Sequence, residues 1–357
     1  MRLLIGSILI CIVCWSTSGC DFSSSQNGKD QPKQANPTPV PESKANFIAV
    51  GDIMLSRNVN RLIERYNDPL VVFSKMADLL DSTDFNFANL ESPVSGNDNV
   101  LGKHLIFNAR KRNIEGLVKH NFKIVGLANN HALDQLIGGL RFTQSFLDQN
   151  NILHVGTGEN LTDAWAPKVV TVNGIRIAFI AASYASVNDG GVARNQYVAR
   201  IEDEENLRAA VKQARTESDL VVVGFHAGIE YTRKPEKGQI AFAHAAVDAG
   251  ADVVIGAHPH WIQVTEQYRG KYIFYSLGNF IFDQPWQDTR EGLALHIFAS
   301  RGGPGRPENG KAVIDKIELI PVMIEQLGIP RPASPTERDA ILKKIGLTEP
   351  VLTPKAE

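Results

Sequence analysis

Residues 253–263 read VVIGAHPHWIQ. An apolar run stops at Gly256, and two histidines, His258 and His260, then flank Pro259. Val253, Val254 and Ile255 have the character of a strand buried on both faces, as in a parallel sheet covered by helices. Such a strand has no use for imidazoles, so they belong just beyond its end. Pro259 fixes its own φ and biases the residue before it toward an extended backbone. In an extended stretch His258 and His260 face the same side. Two neutral imidazoles so placed hold one metal, hold one metal each, or decorate a surface loop, and this stretch alone leaves all three open.

The same pattern recurs along the chain. Strands are expected at 47–52, 84–91, 122–128, 219–225, 251–257 and 271–278, and helices at 69–80, 135–149, 203–217 and 237–249. Pro69 suits the first position of a helix. Residues 168–182 form two β runs joined by Asn173-Gly174, a strong hairpin signal. Strands alternating with helices imply an α/β fold with a largely parallel or mixed sheet, to which the hairpin adds antiparallel strands. Near the end, Ser334-Pro335-Thr336-Glu337 forms a capping box before an apolar helix, expected as a packing appendage.

Polar residues gather at the ends of these runs. Asp52 follows the first, Asn89 and Glu91 the second, Asn129, Asn130 and His131 the third, His226 the fourth, and His258 and His260 the fifth. In α/β sheets, sites form where the carboxyl ends of strands and their loops converge. Each residue also has a bland alternative. Asp52 could cap a helix, although Ser56 is the better cap; the asparagines could form turns; His226 could be a core histidine. Their joint placement favours a site. His104, His120, His154, His244 and His296 lack this context and are expected to be structural or superficial.

Composition narrows the chemistry. The 357 residues are 43% hydrophobic and 21% charged, with a formal net charge of −2 and no concentrated basic stripe, so a nucleic-acid partner is not expected. All the cysteines (Cys11, Cys14, Cys20) lie within the first twenty residues, leaving the remainder without disulfides or thiolate metal ligands. A carboxylate, amide and imidazole set suits one or two divalent ions of the Mn, Fe, Zn or Co type. His131 is better placed as a general acid than as a ligand.

The first twenty residues have the plan of a secretory signal. Gly19-Cys20 resembles a lipoprotein lipobox, with Thr17 departing from the usual leucine, and in that reading Cys20 is the lipidation site. Residues 21–44 are a Ser, Gln, Asn and Pro-rich tether, 45–327 the folded domain and 328–357 a tail with a short helix. Export to the outer face of the cytoplasmic membrane or to the cell envelope is the expectation, with the membrane engaged through the lipid. Asp21 would favour inner-membrane retention in a Gram-negative cell.

Over 46–326 the sequence resembles the bacterial capsule-synthesis CapA family, poly-γ-glutamate biosynthesis proteins with a calcineurin-like metallophosphatase fold. The likeness rests on GDIM (51–54), NLESPV (89–94), LANNHALD (127–134), HAGIEY (226–231), DAGADVVIGAHPH (248–260) and IFYSLGNFIFD (273–283), in that order. It implies a two-sheet β-sandwich flanked by helices. It also implies metal ligation by Asp52, Glu91 as the bridging carboxylate, Asn130, His226, His258 and His260, with His131 as acid. Met54 stands where the wider pattern has a histidine, and a thioether is a poor ligand for such metals. Asn89, Asn129, Glu230, Tyr231, Ser276 and Asn279 are implied in substrate or supporting roles. Ala227 replaces an aromatic and would widen the pocket. Arg110, Lys111 and Arg112 meet an anionic substrate or form a solvated loop.

Three functions follow. One is an exported, membrane-tethered, metal-dependent hydrolase-like protein in the synthesis or export of an anionic surface polymer, of phosphoesterase or amidohydrolase type, with a membrane polymer synthase as partner. A second is a non-catalytic scaffold of that synthase. A third is a general secreted phosphoesterase.

Overall fold

The apolar runs become strands whose two-residue period sends alternate side chains into different layers. The computed structural model describes residues 42–95, 106–185, 195–303 and 310–354. The signal segment with Cys20, the tether through residue 41 and His104 lie outside them. The chain first lays down β1 (Ser43–Ile53), β2 (Phe85–Leu90), β3 (Phe122–Gly126) and β4 (Leu153–Val155). A second sheet takes β5 (Lys168–Val172), β6 (Ile175–Ser183), β7 (Leu220–His226), β8 (Val253–Ala257), β9 (Thr265–Tyr268) and β10 (Lys271–Phe274). The chain then returns to the first sheet with β11 (Asn279–Ile281), β12 (Glu291–Arg301), β13 (Val313–Glu325), β14 (Ile329–Pro332) and β15 (Val351–Leu352). Helices α1 (Arg57–Tyr66), α2 (Ala77–Asp81), α3 (Glu115–Lys119), α4 (Leu136–Gln149), α5 (Leu161–Trp165), α6 (Glu204–Glu217), α7 (Lys237–Ala249) and α8 (Pro335–Lys344) complete it.

The first sheet runs β14-β13-β12-β1-β2-β3-β4, with β11 on β1 and β15 on β13; the second runs β5-β6-β7-β8-β10-β9. β1 to β4 are mutually parallel, as are β6, β7, β8 and β10. Between the sheets pack Phe47, Phe85, Phe87, Phe179, Val222, Val253 and Ile255. Phe47 stacks on Phe85 at 4.8 Å, and Phe179 meets both edge-on at 5.9 Å, each such pair contributing about 0.5–1.5 kcal/mol beyond its area. The alternate residues face outward. Ile48 and Val50 pack against α1 and α4 through Leu62, Ile63 and Leu147, while Val221, Val223 and Val254 pack against α6 and α7 through Leu207, Val211 and Phe242. Both sheets are covered on both faces, the two-sheet helix-flanked sandwich that the sequence implied.

Asn173 and Gly174 take φ of 49° and 79°, the left-handed pair a two-residue hairpin needs, and β5 and β6 pair from Val172↔Ile175 outward. Three expected helices form at α4, α6 and α7, with Asp203 capping α6 through its side chain. The helix expected over 69–80 does not form as one piece. Val71–Phe73 is a 3₁₀ turn and only Ala77–Asp81 is helical, because Val71, Val72, Phe73, Met76 and Leu80 are all buried. That is too many apolar positions for one helical face, and the paired β-branched valines are poor helix formers. Ser56 sits at the N-cap of α1 but makes no capping bond; its hydroxyl donates to the Met54 sulfur instead. The tail is more than an appendage. β14 and β15 extend the first sheet, and Ile341, Leu342 and Ile345 enter the inter-sheet core. Among the described residues no helix is long and apolar enough to cross a membrane.

Gly256 is where close approach leaves no room for a side chain. A Cβ there would lie 2.1 Å from the Tyr275 carbonyl oxygen and 2.5 Å from the Phe225 ring. Gly256→Ala is expected to destabilise the protein by about 3 kcal/mol through overpacking, read as a lower urea midpoint with an unchanged slope.

Candidate metal centre

The strand ends deliver polar groups to one buried point. β1 shifts register against β2 between Val50 and Asp52, a bulge that re-aims the aspartate. Asp52 is fully buried. Its Oδ1 accepts from Asn89 Nδ2 at 2.7 Å and its Oδ2 from the His258 N–H at 3.2 Å. His226, the last residue of β7, lies with Nδ1 3.6 Å from Asp52 Oδ1 and Nε2 3.7 Å from Glu91 Oε1. Around that Nε2 converge Asn130 Oδ1 at 2.8 Å and His258 Nδ1 at 3.1 Å. Asp52, Glu91 and His226 offer ligand atoms all within 4.8 Å of one another.

The histidines past β8 do not lie in an extended stretch as expected. His258 and His260 take φ of 98° and 56°, a conformation costing about 1–3 kcal/mol per residue. The surroundings hold it: the His258 N–H is tied to Asp52, and the Pro259 carbonyl accepts from the Tyr231 N–H at 2.8 Å. The rings therefore diverge, with centroids 6.1 Å apart. His258 turns to His226, whereas His260 lies with Nδ1 3.7 Å from Asp52 Oδ2. Its Nδ1 donates to Asn279 Oδ1 at 2.9 Å, which fixes the tautomer and leaves Nε2 as the donor for a metal. Asn279 is held in turn by Gln284 and the Thr289 carbonyl.

Glu91 decides what the cluster is for. It is fully buried, and neither carboxylate oxygen has a hydrogen-bond partner. Burial, then the charges of Asp52, Glu230 and Asp134, push its carboxyl well above the usual range. Burial alone would do the same to Asp52, but His226, the His260 charge and the Asn89 amide outweigh it and hold that carboxyl low. Burial depresses His226 and, further, His258, so both are neutral imidazoles, the form that binds metal. An orphaned carboxylate facing neutral imidazoles and an amide oxygen fits a divalent cation.

The remaining predicted residues divide. His131 stacks on Phe107 at 3.9 Å, holds Asp134 Oδ2 through Nδ1 at 2.7 Å and points Nε2 to within 3.7 Å of Glu91. Asn89 also meets His226 Nδ1 at 3.1 Å. Asn129 ties the loop after β3 to the Leu90 carbonyl and the His131 N–H, and Tyr231 lies with its ring 6.2 Å from that of His260. Glu230 is exposed and acts on Glu91 and Tyr231 through its charge. Ser276 does not face the cluster: its hydroxyl accepts from the Gly278 N–H and shapes the turn that carries Asn279. Ala227 is part of the outer core beside α7 and widens no pocket. Met54 is buried with its sulfur accepting from Ser56. Arg110 pairs with Glu64, Arg112 with Asn67, and Lys111 covers the Phe142 ring, so these three are engaged within the fold at the 3₁₀ turn Lys111–Ile114. His120, His154, His244 and His296 have partners elsewhere. Asp134 and Phe107 went unrecognised in the sequence. The i, i+3 spacing of His131 and Asp134 was the available signal for the first, whereas nothing marked Phe107.

Residues 46–284 match the family model described as bacterial capsule synthesis protein PGA_cap. The chain belongs to this capsule-synthesis family. It is 33% identical to the capsule biosynthesis protein CapA of Bacillus anthracis over 299 residues, 82% of this chain and 70% of that one. It is 33% identical to the PGA biosynthesis protein CapA of Bacillus subtilis over 285 residues, 78% of this chain and 74% of that one. A probable polyglutamine synthesis accessory protein of Mycobacterium tuberculosis is 24% identical over 333 residues, covering 81% of this chain and 87% of its own. In this capsule-synthesis chain the family motifs are the segments that deliver Asp52, Glu91, Asn130, His131, His226, His258 and His260.

Two outcomes follow from these contacts. In metal-free protein the raised Glu91 pKa means that folding takes up a proton. That contribution is full below the unfolded carboxyl's 4.5 and is lost as pH rises through the folded value. Glu91→Gln is therefore expected to stabilise chelated protein at pH about 8 by about 1–3 kcal/mol, while abolishing any rise in Tm on adding metal. Asn279→Ala frees the His260 ring and should weaken metal affinity by about 10- to 100-fold, measured by competition with a chelating dye.

Proposed function

We propose that the protein is an exported, membrane-tethered, metal-dependent hydrolase-like protein acting in the synthesis or export of an anionic surface polymer of the poly-γ-glutamate type. The carrying observation is the buried Glu91 carboxylate, unpartnered among the donor atoms of Asn130, His226 and His258. The polymer comes from the family and from the names of the relatives. Export and tethering rest on the apolar N-terminal segment and the lipobox-like Cys20. The accessory role named for the mycobacterial relative supports a membrane polymer synthase as partner.

Asn130, His226, His258 and Glu91 would hold one divalent ion, of the Mn, Fe, Zn or Co type, and Asp52, Glu91 and His260 a second. Such ions activate water and polarise a phosphoryl or acyl oxygen. The chain's own contribution is proton transfer and orientation. Asp134 accepts from His131 Nδ1, so Nε2 is the nitrogen that faces the cluster. As imidazolium, His131 donates the Nε2 proton to a leaving oxygen or nitrogen. Phe107 stacks on the ring and fixes its plane, and Asn89 and Asn129 lock the loops that carry the donors.

Elemental analysis of wild type and of the His258→Ala/His260→Ala variant tests the centre: the wild type is expected to retain stoichiometric transition metal and the variant to lose it. His131→Ala should keep the metal and lose about 10²- to 10⁴-fold in turnover of γ-linked glutamate oligomers or phosphate esters. A wild type that carries metal, cleaves neither substrate class and supports polymer formation in cells as the His131→Ala variant would make the protein a scaffold. Robust turnover of simple phosphate esters alone would make it a general phosphoesterase.

A further inference from the structure

Arg57 stands five residues after Asp52 and opens α1 in the left-handed region, with φ of 54°, a conformation disfavoured for an L side chain. Its Nε lies 3.3 Å from Asp283 Oδ2, a carboxylate whose own side chain is 0% exposed, while the arginine side chain is 33% exposed. The same oxygen accepts from the Asn58 N–H at 3.1 Å, and Asp283 Oδ1 is buried without a partner. Among the described residues nothing meets the two terminal amino groups of Arg57. Other arginines of the fold are satisfied at that edge: Arg331 grips Glu337 with both terminal nitrogens, and Arg233 reaches Asp288 and Glu291.

The position of this cation gives it meaning. Its guanidinium carbon is 5.7 Å from the centroid of Phe107, the ring that stacks on His131. Phe107 meets Phe282 at 6.0 Å, and Phe282 lies 4.7 Å from the His260 ring. Arg57 is thus one aromatic ring from the proton-transferring histidine, and its partner Asp283 is the chain neighbour of the ring against His260. A buried carboxylate 3.3 Å from Nε holds that side of the guanidinium by charge, and the Nη edge, which binds carboxylate or phosphoryl oxygens in a fork, is left without a partner among the described residues.

We propose that Arg57 is the oxyanion-binding residue of this site, presenting its Nη edge to a carboxylate or phosphoryl group of the substrate, with Asp283 as the positioning residue that holds it. The assignment deepens the function proposed above and rests on it for the location of the reacting group. Arginine at this place selects an anionic chain by a group flanking the one being transformed.

The test titrates the purified full chain, reconstituted with Mn²⁺ and also metal-free, with inorganic phosphate and with a short γ-linked glutamate oligomer by calorimetry. Wild type, Arg57→Gln, Arg57→Lys and Asp283→Asn are compared, with metal content and thermal melts recorded alongside. Arg57→Gln is expected to weaken one or both anions by about 10- to 100-fold with unchanged metal content. Arg57→Lys should recover little, because it keeps the charge and loses the fork, and Asp283→Asn should fall between. A loss confined to the oligomer assigns a carboxylate, and one confined to phosphate assigns a phosphoryl group. Unchanged affinity for both anions in folded Arg57→Gln or Arg57→Lys overturns the proposal, as does a wild type that binds neither anion. Failure of the wild type to take up metal strikes the proposed function instead, and the metal-free titrations still decide the role of Arg57.

Discussion

A carboxylate with no hydrogen-bond donor, sealed between two β-sheets, is the constraint around which this fold is arranged. Removing one charge from water costs several kcal/mol even after relaxation. Proteins offset that cost with a partner charge, with donors or with metal. Around Glu91 stand the rings of His131 and His226, each with Nε2 3.7 Å from Oε1, and neither carboxylate oxygen is met by a hydrogen-bond donor. Adding another carboxylate, Asp52, makes the same point more expensive for a metal-free protein. On the proposed reading the cluster is destabilising by itself and stabilising once a cation is bound, which would couple metal uptake to folding stability.

Such a cluster needs a stiff frame, and the two sheets supply it by bringing the carboxyl ends of their parallel strands to one edge. β1, β2 and β3 contribute from one sheet, β7 and β8 from the other. The approach is close: a Cβ on Gly51 would sit 1.9 Å from the Gly278 carbonyl oxygen, and the Asp52 N–H donates to that same carbonyl at 3.1 Å. Gly256 serves β8 in the same way against Tyr275. With the backbones fixed, the left-handed turns at His258 and His260 become affordable, because each is pinned by a bond to an already rigid neighbour. The aromatic core under the cluster resists any relaxation that would separate the sheets.

Much of this was legible in the sequence, for reasons that also explain what was not. Strand ends carrying Asp52, Glu91, Asn130, His226 and the two histidines past Ile255 stood out because apolar runs and polar termini are local patterns. The Asn173-Gly174 hairpin and the Ser334–Glu337 capping box of α8 were legible on the same grounds. The ring directions of His258 and His260 were not, because the turn is set by Asp52 and Tyr231, distant in sequence. Val71–Phe73 failed as a helix because burial on all sides overrides a helical start signal. Ser276 looked functional from its motif, yet its hydroxyl is spent on a turn. Asp134 and Phe107 gained meaning only when His131 was placed between them.

On the proposed two-ion reading the two sides of the centre are unequal, and Met54 stands on the poorer one. Around His226 Nε2 stand Asn130, His258 and Glu91, so that side has a full set of donors from four different chain segments. Around Asp52 Oδ2 the imidazole is His260 alone, and its orientation depends on one bond to Asn279. The thioether of Met54 adds nothing there, since its sulfur is turned into a buried contact with Ser56. Where the pattern that the sequence resembles has an imidazole, the buried Met54 supplies core packing and no imidazole ligand. The weaker side is also the one approached by Tyr231 and Phe282, which shield it with aromatic surface. On the proposed reading, that is where substrate oxygens complete the coordination, and a side left short of protein donors is suited to exchange its ligands during turnover.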